Sequence, residues 1–144
     1  MSILQSPLFK LDNRPSLMLL NTRPRILMID DRPETIDLMT YVLGKAGLTV
    51  VMARSLDEAL RLALTNPPDL IVCDIHFNGE DGFQFAARLQ AEVTLRDIPR
   101  VLFTERNLEP ADHRRAQQAG YIAAVRKPLR ESEWPDLFKS FIKW

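Results

Sequence analysis

Short apolar runs alternate along this chain with longer segments in which apolar residues recur every three or four positions. The short runs are typical of strands buried on both faces, and they lie at 25–30, 48–53, 70–73, 100–104 and 122–126. The segments with helical spacing lie at 34–47, 56–66, 82–93, 109–120 and 131–144. Strand and helix alternate five times, which predicts a parallel sheet covered by helices on both faces. Five units are too few for an eight-unit barrel, so we expect an open, doubly wound α/β sheet.

Residues that favour helix ends support this division. Ser55 and Glu58 form the sequence pattern of a capping box at the start of the second helix. Pro110 suits the first turn of the fourth helix, and Gly120 suits its end. Pro135 is tolerated in the last helix only near the start.

Residues 1–24 stand apart from the alternating pattern. They contain prolines and no sustained helical or strand period, yet they are too apolar for a solvated tail. We expect an N-terminal arm over 1–24 that packs on one domain spanning 25–144. The alternative is that the arm contacts a partner protein or a second copy of the chain in a homodimer, because exposed apolar patches mark interfaces.

Composition narrows the function classes. The 144 residues are 46% hydrophobic, which is enough for a buried core. Lys plus Arg and Asp plus Glu both number 19, and this balance argues against nucleic-acid binding by this chain. Cys73 is the one cysteine, so no intrachain disulfide can form. The longest apolar run near the N-terminus, 17–20, is too short for a signal peptide or membrane span, so we expect a cytoplasmic protein without membrane contact.

Charged and hydroxyl side chains stand at the ends of four predicted strands. They are Asp30 and Asp31 after the first strand, Asp74 after the third, Thr104 at the end of the fourth and Lys127 after the fifth. Because ligands of open α/β sheets bind at the carboxyl ends of the strands, we expect these groups to converge. Carboxylates suit Mg²⁺, and a carboxylate beside Mg²⁺ can act as a nucleophile toward phosphorus. Mg²⁺, the Lys127 ammonium and the Thr104 hydroxyl would neutralise the phosphoryl oxygens.

Each of these residues also has an ordinary structural interpretation. An Asp pair before Pro33 is often a helix cap, and a strand-end Asp before Asn78-Gly79 could shape a turn. A Lys-Pro step is usually a loop, and Thr104 favours a strand. All four strand ends would have to carry such residues by coincidence, and we therefore favour a binding site.

The same residues resemble the receiver domain of bacterial response regulators. The resemblance covers about residues 25–144 and rests on order, spacing and strand placement together. The matching positions are Asp30-Asp31, Asp74, Asp81-Gly82, Thr104 and Lys127-Pro128. The resemblance implies a five-stranded, flavodoxin-like (βα)5 sandwich, the fold class expected above. We expect a stand-alone, single-domain member of the family, with a receiver domain excised from a longer protein as the alternative.

The resemblance implies a role for each carboxylate. Asp74 would be the phosphoacceptor, receiving a phosphoryl group from a histidine kinase or a phosphotransfer protein. Asp31 and Asp74 would ligate Mg²⁺ directly, and Asp30 would act mainly through water. The further protein ligand would be the backbone carbonyl of His76, so its imidazole is not implied as a metal ligand.

The resemblance also assigns the two remaining groups. Thr104 would hydrogen-bond the phosphoryl group and draw its loop inward. Lys127 would pair with Asp74 and then with the phosphate, aimed by a Lys-Pro bond that is typically cis in this family.

Several positions depart from the usual receiver pattern. Asn78 stands where the family usually has proline, and the bulky anion Glu105 stands where it usually has a small residue. Ala124 stands where the family has its switch aromatic, and Tyr121 need not occupy the same place. We expect slower phosphorylation and a coupling of hydroxyl to aromatic ring that is absent or rewired.

The favoured function is a phosphorylation-dependent switch in a two-component phosphorelay that signals by docking on an unknown downstream protein. The alternative is a degenerate receiver that binds proteins without phosphorylation. A turnover phosphohydrolase ranks below both, because such enzymes commonly need a second acid two residues after the nucleophile, where this chain has His76.

Overall fold

A parallel sheet of five strands forms the centre of the molecule. The computed structural model describes residues 23–30, 32–74, 76–77, 80–104, 107–126 and 131–142. The strands of the sheet are β1 Arg25–Ile29, β2 Thr49–Ala53, β3 Leu70–Cys73, β4 Arg100–Thr104 and β5 Ala123–Arg126. Their order is β2-β1-β3-β4-β5, and every neighbouring pair is parallel. The predicted doubly wound, flavodoxin-like α/β fold is confirmed.

Five helices connect and follow these strands. They are α1 Pro33–Lys45, α2 Leu56–Thr65, α3 Gly82–Ala91, α4 Pro110–Gln118 and α5 Trp134–Phe141, the last preceded by a 3₁₀ turn at Glu131–Glu133. The helices are shorter than predicted mainly at their C-terminal ends. In α1 the reason is Gly47, whose φ of 91° lies in the left-handed region that ends a helix.

Alternate residues of the strands pack on opposite faces of the sheet. Leu27 and Ile29 of β1 point into a core shared with α2, α3 and α4. Ile26 and Met28 point into a second core shared with α1 and α5. This alternation explains why the strands are apolar throughout, since a sheet covered on both faces has no solvent-facing side.

The strand register brings the residues after β1 and β3 together. Ile29 pairs with Cys73 at the carboxyl end of the two strands. The Asp74 N–H donates to the Ile29 carbonyl at 3.3 Å, and the Asp30 N–H donates to the Ala53 carbonyl at 3.3 Å. The sheet hydrogen bonding thus continues one residue beyond each strand and fixes both aspartates at the same edge.

Two local features differ from what the sequence predicts. After β3, His76–Phe77 and Glu80–Asp81 form a short antiparallel pair, which adds two strands to the five predicted ones. At the start of α2, the Ser55 hydroxyl accepts from the Glu58 N–H at 3.0 Å as predicted. In a capping box the Glu58 carboxylate would accept from the backbone N–H of the N-cap residue, Ser55. Here it accepts instead from the N–H of the preceding residue, Arg54, at 3.1 Å.

None of the helices in the described part of the chain combines the length and apolar character needed to cross a bilayer.

Candidate functional site

Two carboxylates lie side by side at the carboxyl edge of the sheet. Asp30 follows β1 and is only 3% exposed. Asp74 follows β3, and its side chain is 14% exposed. Burying a carboxylate is costly unless it is paired, so both groups require a compensating cation or hydrogen bonds.

Arg32 supplies a cation to both acids. Its Nη2 lies 3.3 Å from Asp30 Oδ2 and 3.8 Å from Asp74 Oδ2. Its backbone N–H and Nε also donate to Asp30 Oδ1, at 3.0 and 3.3 Å. The Arg32 side chain therefore folds back over the strand end and connects the two aspartates.

Sequence reasoning missed Arg32. The available signal was its place directly after the two aspartates, because a residue two positions beyond Asp30 can return to it in a tight turn. Arg32 is also the N-cap of α1, and it makes no side-chain capping hydrogen bond. The N-cap of this helix is therefore Arg32 and not Asp30, and the cap alternative for Asp31 lies outside the described residues.

Thr104 reaches the same edge from the neighbouring strand. It is the last residue of β4, is buried, and pairs in register with Arg126 of β5. Since Cys73 pairs with Leu102, Thr104 lies one residue beyond the level of Asp74. The structure therefore brings Asp30, Asp74 and Thr104 to one edge, as the sequence predicts.

The remaining predicted site residues are described only in part. Asp31, Glu105 and Lys127 lie outside the described residues, as do Asn78 and Pro128. His76 is described through its backbone, which pairs with Asp81 in the short hairpin. Their assigned roles stay predictions.

Two carboxylates that share one guanidinium are also suitably placed for a metal cation. Asp30 and Asp74 are hard oxygen donors, the kind that Mg²⁺ prefers, and Arg32 already occupies a position between them as a cation. In the described ranges no three His, Cys, Asp or Glu side chains gather closely enough to hold a metal. The described pair fits a Mg²⁺ site that keeps several waters, because Mg²⁺ is usually bound by only one or two carboxylates.

Cys73, the residue before Asp74, and Tyr121 are both buried. The Cys73 thiol donates to the Asp74 carbonyl at 3.1 Å. Burial raises the pKa of Cys73 far above its ordinary value, and burial likewise raises the pKa of Tyr121. Both groups therefore remain protonated at neutral pH, and Cys73 acts as a packed core residue rather than a reactive thiol.

Tyr121, which lies two residues before β5, contacts the start of α3 through its side chain. Its hydroxyl donates to the Gly82 carbonyl at 2.6 Å, and its ring meets Phe83 edge-on with centroids 6.4 Å apart. Ala124, at the usual switch position, is half-buried, packs on the core and pairs with Leu102. The Tyr121 ring, which stands three residues before Ala124 in the chain, thus contacts α3.

Arg115 on α4 completes a contact with the start of α3. Its guanidinium lies 4.1 Å from the Phe83 ring centroid, and its Nη2 lies 3.4 Å from Asp81 Oδ2. Asp81 also caps α3, since its Oδ1 accepts from the Phe83 N–H at 2.8 Å. Asp81, one of the residues carrying the family resemblance, therefore has a structural role here.

The pattern that defines the response regulator receiver domain matches residues 26–139. This chain therefore belongs to the response regulator receiver domain family of two-component systems. Receiver domains are signalling domains and not turnover enzymes.

Individual relatives agree with this assignment. The phosphate regulon transcriptional regulatory protein PhoB of Escherichia coli is 33% identical over 97 residues, which are 67% of this chain and 42% of PhoB. The polar-differentiation response regulator DivK of Brucella ovis is 31% identical over 97 residues, which are 67% of this chain and 78% of DivK. The match thus spans less than half the length of PhoB and most of DivK.

Solved structures show the same fold. The chemotaxis response regulator CheY4 of Vibrio cholerae superposes with a TM-score of 0.77 at 21% identity, covering 84% of this chain and 100% of that chain. At this identity the likeness concerns the fold alone.

Proposed function

We propose that this chain is a phosphorylation-dependent switch of a two-component phosphorelay and that Asp74 accepts the phosphoryl group. The observation that carries the proposal is the meeting of Asp30 and Asp74 around one guanidinium at the carboxyl edge of the sheet. This is the edge where open α/β sheets bind ligands. Membership of the receiver family supports the assignment.

The phosphoryl transfer begins at the Asp74 carboxylate. One of its oxygens attacks the phosphorus of a phosphohistidine on a kinase or phosphotransfer protein. An O–P bond forms as the N–P bond breaks, and the leaving imidazole nitrogen keeps that electron pair and takes up a proton. The Thr104 hydroxyl donates to a phosphoryl oxygen, and the Lys127 ammonium pairs with the phosphate.

A magnesium ion would be held by Asp31, Asp74 and the His76 backbone carbonyl, with Asp30 contributing through water. When bound, Mg²⁺ neutralises charge on the phosphoryl oxygens. Asp30 is suited to the indirect role because two hydrogen bonds from Arg32 already engage its Oδ1.

The experiment is an intact-mass measurement after incubation with MgCl₂ and acetyl phosphate. The wild-type chain should gain one phosphoryl group, and Asp74→Asn should gain none. Asp57→Asn is the matched control, because the Asp57 side chain is 87% exposed and pairs with Arg88 instead. An equal adduct on the wild type and on Asp74→Asn would refute the assignment of Asp74.

An adaptor that works without phosphorylation is the second candidate. It is favoured by Arg32, which holds both acids in ion pairs with no metal required. The same mass measurement separates the two functions, because an adaptor gains no phosphoryl group under conditions in which the protein is folded.

The other parts of the proposal concern location and partners. The partners are a histidine kinase or phosphotransfer protein and an unknown downstream protein. This chain contacts neither nucleic acid nor a membrane, and it is located in the cytoplasm. The balance of 19 basic and 19 acidic residues supports the absence of nucleic-acid contact. Residues 1–24 are proposed as an arm on the domain 25–144, with a contact of the arm to a partner protein or to a second copy of the chain as the alternative.

A further inference from the structure

Arg32 is attached unequally to the two acids of the site. It makes three hydrogen bonds with Asp30, through its backbone N–H, Nε and Nη2. Its contact with Asp74 is a single ion pair at 3.8 Å, longer than a hydrogen bond. Arg32 is thus anchored on Asp30 and reaches toward Asp74, so the Asp74 contact is the easier one to give up.

The Arg32 charge is permanent and lies where a second cation would have to bind. A guanidinium keeps its proton at any pH that the protein tolerates. Its Nη2 lies 3.3 Å from Oδ2 of Asp30 and 3.8 Å from Oδ2 of Asp74, so its positive charge stands beside the acid proposed to ligate Mg²⁺ directly and the acid proposed to act through water. Two cations that close repel each other, and the low exposure of the acids reduces screening by solvent.

We infer that Arg32 is a built-in competitor of the divalent cation, setting the Mg²⁺ concentration at which the Asp30–Asp74 pair is metal-loaded. This inference rests on the proposed function, because it concerns the affinity of the same site. Mg²⁺ binding requires the Arg32 guanidinium to leave Asp74, whereas its hydrogen bonds to the Asp30 side can persist. When the ion is absent, Arg32 thereby remains ion-paired with both acids and compensates their charge.

The test is a calorimetric titration of the full chain with MgCl₂ alone, at fixed ionic strength and without a phosphoryl donor. Arg32→Gln should bind Mg²⁺ about 3- to 10-fold more tightly than wild type, because one positive charge near the site is removed. Arg32→Lys retains the charge and should bind within about 2-fold of wild type.

Arg88→Gln is the matched control for loss of charge. Arg88 Nη1 pairs with Asp57 Oδ1 at 2.9 Å on the surface between α2 and α3, so its removal changes the net charge equally while leaving the Asp30–Arg32–Asp74 contacts in place. Its Mg²⁺ affinity should equal that of wild type.

A thermal melt in EDTA and in MgCl₂ supplies a second readout. Arg32→Gln should melt below wild type in EDTA, because Asp30 and Asp74 lose their shared cation. It should gain more than wild type from added Mg²⁺, since ion binding stabilises the folded state in proportion to its affinity.

The outcomes separate this inference from the proposed function. Tighter binding by Arg32→Gln supports competition, including the case in which only the variant binds at the concentrations reached. Wild-type binding with an equal or weaker affinity in Arg32→Gln overturns the competition alone. Absence of binding by both proteins overturns the metal site of the proposed function and the competition together.

Discussion

The hydroxyl of Tyr121 offers the sharpest test of how β5 is connected to the start of α3. Tyr121 is 4% exposed, and its hydroxyl donates to the buried Gly82 carbonyl at 2.6 Å. Tyr121→Phe keeps the ring, and therefore the edge-on contact with Phe83, but leaves the Gly82 carbonyl without this donor. A buried polar group that loses its partner costs about 1–2 kcal/mol, so the free energy of unfolding should fall by that amount.

Urea denaturation followed by circular dichroism measures this loss. For a domain of this size the corresponding fall in Tm is roughly 3–6 °C. Tyr41→Phe is the matched control, because Tyr41 is 64% exposed on α1 and its ring packs under the Lys45 ammonium. Its hydroxyl faces water, so the free energy of unfolding should change by less than about 0.5 kcal/mol.

Equal effects of the two substitutions would refute the reasoning. They would mean that the Tyr121 hydroxyl is satisfied as well by water as by Gly82, and that the contact adds nothing to the connection between β5 and α3.

Three further predictions test the core, the α3 cap and the buried titratable groups. Phe138→Ala should lower the free energy of unfolding by about 3–5 kcal/mol in urea titration, because Phe138 is fully buried beneath the sheet. Asp81→Ala should cost about 1 kcal/mol in the same assay, because it removes the cap that accepts from the Phe83 N–H. Alkaline titration should destabilise the fold, since burial raises the pKa of Cys73 and Tyr121 above their ordinary values of 9.0 and 10.0. The neutral thiol and phenol contribute their full stabilisation below those ordinary pKa values, and the contribution is lost as pH rises beyond them. The fall in the free energy of unfolding with pH should therefore be shallower in Tyr121→Phe, which has one titrating group fewer.

The sheet and the positions of its acids could be predicted from the sequence because both follow from short-range patterns. A run such as Leu70–Cys73 is apolar at every position, which only a strand covered on both faces requires. Once the strands are placed in a parallel sheet, their carboxyl ends must share an edge, so Asp30, Asp74 and Thr104 follow without further information.

The antiparallel pairing of 76–77 with 80–81 could not be predicted in this way. Each of its strands has two residues, His76–Phe77 and Glu80–Asp81, which is too short for any period to be visible.

The side-chain contacts of Arg32 and Tyr121 were missed for a different reason. The contacts of Arg32 with Asp74 and of Tyr121 with Gly82 join residues that only the tertiary fold brings together, and a propensity does not say where a long side chain turns. Tyr121 precedes β5 and reaches Gly82, which lies 39 positions earlier in the chain. Strand alternation could place Ala124 but gave no direction for a residue outside the strand.

The central claim is that one carboxylate, Asp74, becomes phosphorylated at this edge of the sheet. The most direct measurement treats the chain with MgCl₂ and acetyl phosphate, reduces the acyl phosphate with borohydride and locates the product by peptide mass spectrometry. We expect homoserine at position 74, because borohydride converts a phosphorylated aspartate to that residue. Homoserine at another aspartate such as Asp30, or none in a protein that remains folded, would contradict the account.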